Sequence, residues 1–124
     1  SKIEGIAGSP SYMSPEQVQG QELTAASDLY SLGAVMYELL TGFRPFRASS
    51  LAKLLNQIVY STPPPIHTLR AGVPEELEEI VVVALQKDPA RRYANGGELA
   101  GRLTRVYHQL KGQWDGLERQ EQFD

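Results

Sequence analysis

The sequence predicts an all-α fold. Apolar residues recur at helical spacing in several separate runs, cap and stop residues bracket those runs, and no period-two alternation is sustained anywhere. The chain has 124 residues, 41% of them hydrophobic and 22% charged, which is enough to bury a core.

The first thirteen residues are rich in Gly, Ser and Pro and read as a loop. A short helix is expected at Ser14-Pro15-Glu16-Gln17. Ser14 serves as cap, Pro15 suits the first helical position, Gln17 completes a capping box, and Gly20 ends the helix. The run Ser27 to Thr41 is apolar or small nearly throughout, with Leu29, Leu32, Ala34, Val35, Met36, Leu39 and Leu40. A helix apolar around its whole circumference has to be surrounded by protein, so this one is expected to be central and buried. Gly42 stands where a left-handed C-cap belongs. Gly33 lies inside the helix at a cost of about 1 kcal/mol against alanine, which points to close approach of a neighbouring backbone.

After a turn at Phe43 to Phe46, Ser50 caps a third helix with Leu51, Leu54, Leu55, Ile58 and Val59 on one face. Residues Ser61 to Val73, with prolines at 63, 64 and 65, lack periodicity and read as an extended connection. A rigid spacer is preferred to a proline-rich ligand for a partner domain. Pro74 opens a fourth helix with Leu77, Ile80, Val81, Ala84 and Leu85 inward. Lys87 stands near its end, where the helix dipole favours a cation, and Asp88-Pro89 breaks it. A fifth helix is expected over about Gly97 to Leu110, with Leu99, Leu103, Val106 and Leu110 inward. The polar tail from Lys111 to Asp124, with Trp114, Leu117 and Phe123, reads as a linker or the start of a helix, and Trp114 as a minor packing contact.

Composition also excludes functions. There is no cysteine, hence no disulfide frame or thiolate nucleophile, and His67 and His108 lack metal-ligand spacing. Net charge is −3 with scattered Lys and Arg, so no nucleic-acid footprint is expected. The longest apolar run, Ile80 to Leu85, is far shorter than the roughly 20 residues that span a bilayer, and no signal-peptide pattern is seen. No membrane or nucleic-acid partner and a cytoplasmic location are therefore expected. The missing initiator methionine points to a fragment of a longer chain.

Four blocks carry a resemblance. Gly8-Ser9-Pro10-Ser11-Tyr12-Met13-Ser14-Pro15-Glu16 resembles the end of a protein-kinase activation segment. Ser27 to Gly33 is similar to the start of that family's central helix. Leu39 to Phe46 is similar to the turn after it, and Lys87-Asp88-Pro89-Ala90-Arg91-Arg92-Tyr93 to the segment before the last helix. They occur in the family's order, over about residues 1 to 110, in wording like the bacterial branch of the eukaryotic-type serine/threonine kinases. The resemblance implies the C-terminal lobe of such a kinase, from the activation-segment end onward, with residues 111 to 124 as tail or linker.

By that resemblance, Ser9 stands for the threonine that contacts the catalytic aspartate and lysine beside the substrate hydroxyl. Pro10, Ser11, Tyr12 and Met13 form the loop that receives the residue after the phosphoacceptor, with Tyr12 against the central helix. Ser1, Ser9 and Ser11 are candidate phosphorylation sites, and the loop lacks the tryptophan and proline arrangement of tyrosine kinases. Glu16 and Arg92 are implied to form a buried ion pair, with Arg91 as the exposed neighbour. Asp28 is implied to anchor the catalytic loop through that loop's backbone N–H groups. No catalytic residue, cofactor site or metal site is expected in this segment. Mg-ATP, the protein substrate, and the N-lobe and catalytic loop of the same kinase belong to the intact enzyme. The chain alone is expected to be inactive, and an apolar patch is expected where the preceding parts would lie. The alternatives are a non-catalytic kinase-derived interaction module and an unrelated all-α binding domain.

Overall fold

A computed structural model describes residues 10–122. Among these, six α-helices and two 3-10 turns make up the regular structure: α1 (Pro15–Val18), α2 (Ala25–Thr41), α3 (Leu51–Tyr60), α4 (Ile66–Leu69), α5 (Glu75–Ala84) and α6 (Gly96–Glu121), with turns at Pro10–Tyr12 and Pro89–Arg91. The all-α expectation holds.

Helix ends follow the local chemistry. Ser14 accepts from the Gln17 backbone at 3.2 Å while Gln17 accepts from the Ser14 backbone at 2.8 Å, completing the capping box. Gly42 ends α2 at φ +82°, a conformation that costs glycine nothing. Ser50 caps α3, and Asn95 caps α6 by accepting from Glu98 N at 2.9 Å.

α2 is the centre of the fold. On one side Tyr30, Ala34 and Tyr37 pack with Ile66, Val81 and Leu85. On another, Leu29 packs with Ile80, Tyr93, Leu99 and Val106, so α5 bridges α2 to α6. Enclosure is not complete, however. Asp28, Leu32, Val35 and Leu39 share one exposed stripe, with Leu39 at 77%. The expected cover on every side therefore stops at this face, because no element of the described residues lies over it. Leu32, Val35 and Leu39 thus leave an apolar patch along this face.

At Gly33 the reason for glycine is a side chain rather than a backbone. A Cβ there would stand 2.7 Å from Ala84 Cβ on α5. Gly33→Ala is expected to cost about 1–3 kcal/mol by overpacking, despite its gain in helix propensity, and a urea melt would measure it. Ala84→Gly in the same chain should return part of the loss; additive losses would show that the two sites do not meet.

Three elements differ from expectation. The connection after Ser61 contains the one-turn helix α4, whose Ile66 is buried while Tyr37 donates a 2.6 Å bond to Pro64 O. Lys87 does not serve its own helix. Its ammonium donates to Gln57 O (3.4 Å) and Ile58 O in the last turn of α3, and lies 4.4 Å from the Phe46 ring centroid. Burial, and then the charge of Arg92, lower its amine to about 8. Finally, α6 runs on to Glu121 rather than ending near Leu110, and Leu110 is exposed rather than inward.

Candidate functional site: the anchored loop

The loop ahead of α1 is held to α2 by three polar contacts. Ser31 on α2 donates to Tyr12 O at 2.7 Å, and Tyr12 donates its phenol proton to Glu38 at 2.7 and 2.9 Å. Arg44 completes the group, 3.6 Å from Glu38 and at 3.5 Å from Ser11 Oγ. The bond to Glu38, followed by burial and the carboxylate's charge, raises the Tyr12 phenol. The 3-10 turn Pro10–Tyr12 is closed by Met13 N donating to Pro10 O at 3.1 Å. Tyr12 thus packs against the central helix, as expected. Ser11 is buried here, so modification of it requires this turn to move. Ser1 and Ser9 lie outside the described residues.

Behind the loop sits the most deeply buried ion pair among the described residues. Arg92 donates to both Glu16 oxygens, Nη1 to Oε2 at 2.6 Å and Nη2 to Oε1 at 2.8 Å. Both residues are buried, at 6% and 4% exposure. A planar guanidinium matches two carboxylate oxygens in a way that an ammonium cannot. Every remaining N–H of Arg92 is also used. Nε donates to Gln86 O (2.8 Å), Nη1 to Ala26 O (2.8 Å) and Nη2 to Lys87 O (3.2 Å). Ser27 donates to Glu16 Oε2 at 2.9 Å, and the Tyr30 ring lies 5.0 Å from the guanidinium carbon.

Burial opposes the charged form of Glu16. The bonds from Arg92, its own backbone amide and Ser27 outweigh it and lower the carboxyl to about 2. The pair therefore ties three segments together: α1, the start of α2, and the turn ahead of α6. Glu16 and Arg92 are brought together as the resemblance implied, and Arg91 is the exposed neighbour. Asp28 stands exposed in the first turn of α2, and its carboxylate makes no bond among the described residues. Nothing in the sequence marks Ser27, Ser31, Glu38 and Arg44 as contributors to this site. Their residue types are ordinary, and only the crossing of distant segments gives them roles.

Among the described residues no group of three or more His, Cys, Asp or Glu could hold a metal, and no helix is long and apolar enough to cross a membrane. The arrangement holds a loop in a fixed shape against a central helix.

Residues 1–104 match the protein kinase domain family. Curated relatives include a serine/threonine-protein kinase drp72 of Corynebacterium efficiens, 44% identical over 101 residues, and PknA of Corynebacterium glutamicum, 42% identical. PknB of Mycobacterium tuberculosis is 39% identical over 103 residues. These alignments cover 82–83% of this chain but only 19%, 21% and 16% of those proteins. The chain thus spans about a fifth or less of the length of these relatives.

Proposed function

This chain belongs to the protein kinase domain family, in its bacterial serine/threonine branch, and from that premise we propose that it is the substrate-holding segment of a kinase that moves the γ-phosphate of Mg-ATP to a protein serine or threonine. The observation that carries this reading is the loop Pro10–Met13 docked on α2 by Ser31 and Glu38 and backed by the Glu16–Arg92 pair. A loop fixed in this way presents its outer edge to an extended peptide without further ordering cost, which is how positioning lowers a barrier.

In this reading Ser9 stands beside the substrate hydroxyl, and Pro10, Ser11, Tyr12 and Met13 receive the following residue. Glu16 and Arg92 anchor the segment, and Asp28 holds the catalytic loop. Ser1, Ser9 and Ser11 are its candidate phosphorylation sites. Residues 1–110 form the lobe segment and 111–124 its tail. The enzyme works in the cytoplasm. Its N-lobe and catalytic loop cover the stripe Leu32, Val35 and Leu39.

Phosphoryl transfer depends on groups that cradle the triphosphate and its Mg²⁺ and orient the acceptor hydroxyl. The 124 residues contain neither the Gly-rich loop nor an Asp-Phe-Gly segment. The purified chain should therefore give no labelled phosphate on a general protein substrate above a no-protein blank. A chimaera is expected to be active when a relative's upstream kinase portion precedes residues 1–104 of this chain. A chimaera that folds, binds ATP and still transfers nothing to serine or threonine would sink the proposal.

A further inference from the structure

The family match ends at residue 104, yet α6 continues as one helix to Glu121. Past Val106 this extension is about 22 Å long at 1.5 Å per residue, and it stands clear of both core clusters. Its composition is not that of a solvated spacer. Tyr107, Leu110, Trp114 and Leu117 are 59%, 42%, 63% and 58% exposed. At 3.6 residues per turn they fall within an arc of about 80° and form one continuous apolar stripe. We propose that this stripe is a self-association surface, on which a second copy of this chain lies antiparallel, centred on Trp114.

Charge selects both the occupant and the direction. Lys111 and Glu118 border one edge of the stripe, while Gln113 and Gln120 border the other. When two copies meet antiparallel about a two-fold axis, like edges face each other. Lys111 then lies beside Glu118 of the second copy, twice over by symmetry, and Leu110 lies against Leu117 of the second copy. A parallel pair would bring the charged edge against the glutamine edge and lose both ion pairs. The Trp114 indole N–H already donates to Glu118 Oε1 of its own chain at 2.7 Å. Its polar atom is thus satisfied, and its ring face can be buried at no hydrogen-bonding cost. Antiparallel overlap also sends the two globular bodies to opposite ends of the helix pair. A contact between two helix segments of this length is small beside the roughly 1,200 Å² at which stable interfaces begin, so association belongs in the micromolar range or weaker.

The chain has no cysteine, so single cysteines report contacts cleanly. Trp114→Cys at about 100 μM, well above a micromolar dissociation constant, should form a disulfide-linked dimer under mild oxidation. Arg119→Cys, on the opposite side of the helix, should form at least tenfold less. Lys111→Glu should reduce cross-linking by about tenfold, and Lys111→Glu with Glu118→Lys should restore it. Circular dichroism checks that each variant keeps its helix content. Equal cross-linking at positions 114 and 119, or failure of the double reversal to rescue, would overturn the proposal. So would dimerisation that survives Leu110→Glu with Leu117→Glu but is lost in Leu32→Glu with Leu39→Glu, because the contact would then run through α2.

Discussion

Replacing Arg92 by alanine is expected to remove about 3–5 kcal/mol of folding stability, the typical cost of leaving a buried charge without its partner. Glu16, 4% exposed, would keep only Ser27 and its own amide as donors. The carbonyls of Gln86, Ala26 and Lys87 would each lose a donor at the same time. Glu16→Ala should cost a similar amount, because it strands a guanidinium with no anion. The double variant should fall well short of the sum of the two, since the second change removes a charge that the first had already orphaned. Urea melts of the four chains measure this cycle, and additive losses would reject the coupling. With domain stabilities of about 5–15 kcal/mol, either single variant should be close to unfolding at 37 °C. Arg92→Lys should recover little, because an ammonium cannot reach two carboxylate oxygens and three carbonyls together.

The same pair sets an acid limit. The Glu16 carboxyl lies at about 2 in the folded chain against an ordinary 4.5. A depressed carboxyl contributes stability that is fully present above the unfolded value. That stability is lost as pH falls from about 4.5 towards 2, where the folded state too takes up the proton. Glu16→Gln should be less stable at neutral pH and should show a flatter stability profile across that window.

Tyr37→Ala is expected to produce a loss of comparable size, about 3–5 kcal/mol, by emptying one of the most enclosed side-chain positions. Tyr37 is 2% exposed and packs with Tyr30, Ala34, Ile66, Val81 and Leu85. Its hydroxyl is also the tether of the proline run, through Pro64 O. Tyr37→Phe separates the two contributions. It keeps the ring and deletes the bond, at a cost of about 1 kcal/mol. Hydrogen exchange or limited proteolysis across Thr62 to Thr68 should speed up in Tyr37→Phe while the global melt barely moves. A proline run as protected in Tyr37→Phe as in the parent chain would show that the prolines hold themselves.

Much of this architecture was legible from local chemistry. Ser14-Pro15-Glu16-Gln17 states a helix start in four residues, Gly42 states an end, and the run between Ser27 and Thr41 announces a central helix. The Glu16–Arg92 pair was legible only by resemblance. Their 76-residue separation leaves no local trace. What escaped did so for identifiable reasons. α4 has a single turn after three prolines, too short for a period to show. The extension of α6 contains little core-facing apolar residue, and its helicity rests on Gln, Glu, Lys, Arg and Leu, which favour helix without packing. Leu110 fits the inward spacing, yet it is exposed and lies beyond Val106, the last α6 residue in the core cluster. Lys87 reads as a cap for the helix before it, and only tertiary packing puts the end of α3 within its reach.

The contact between Gly33 and Ala84 has a consequence for how such a chain can drift over generations. Neither position is free to change by itself, since anything larger at 33 strikes a methyl group on the neighbouring rod and the only smaller choice at 84 loosens that rod. A lineage that enlarges position 33 therefore loses stability unless position 84 shrinks or the two helices re-space. These two small side chains are thus harder to replace than their size suggests.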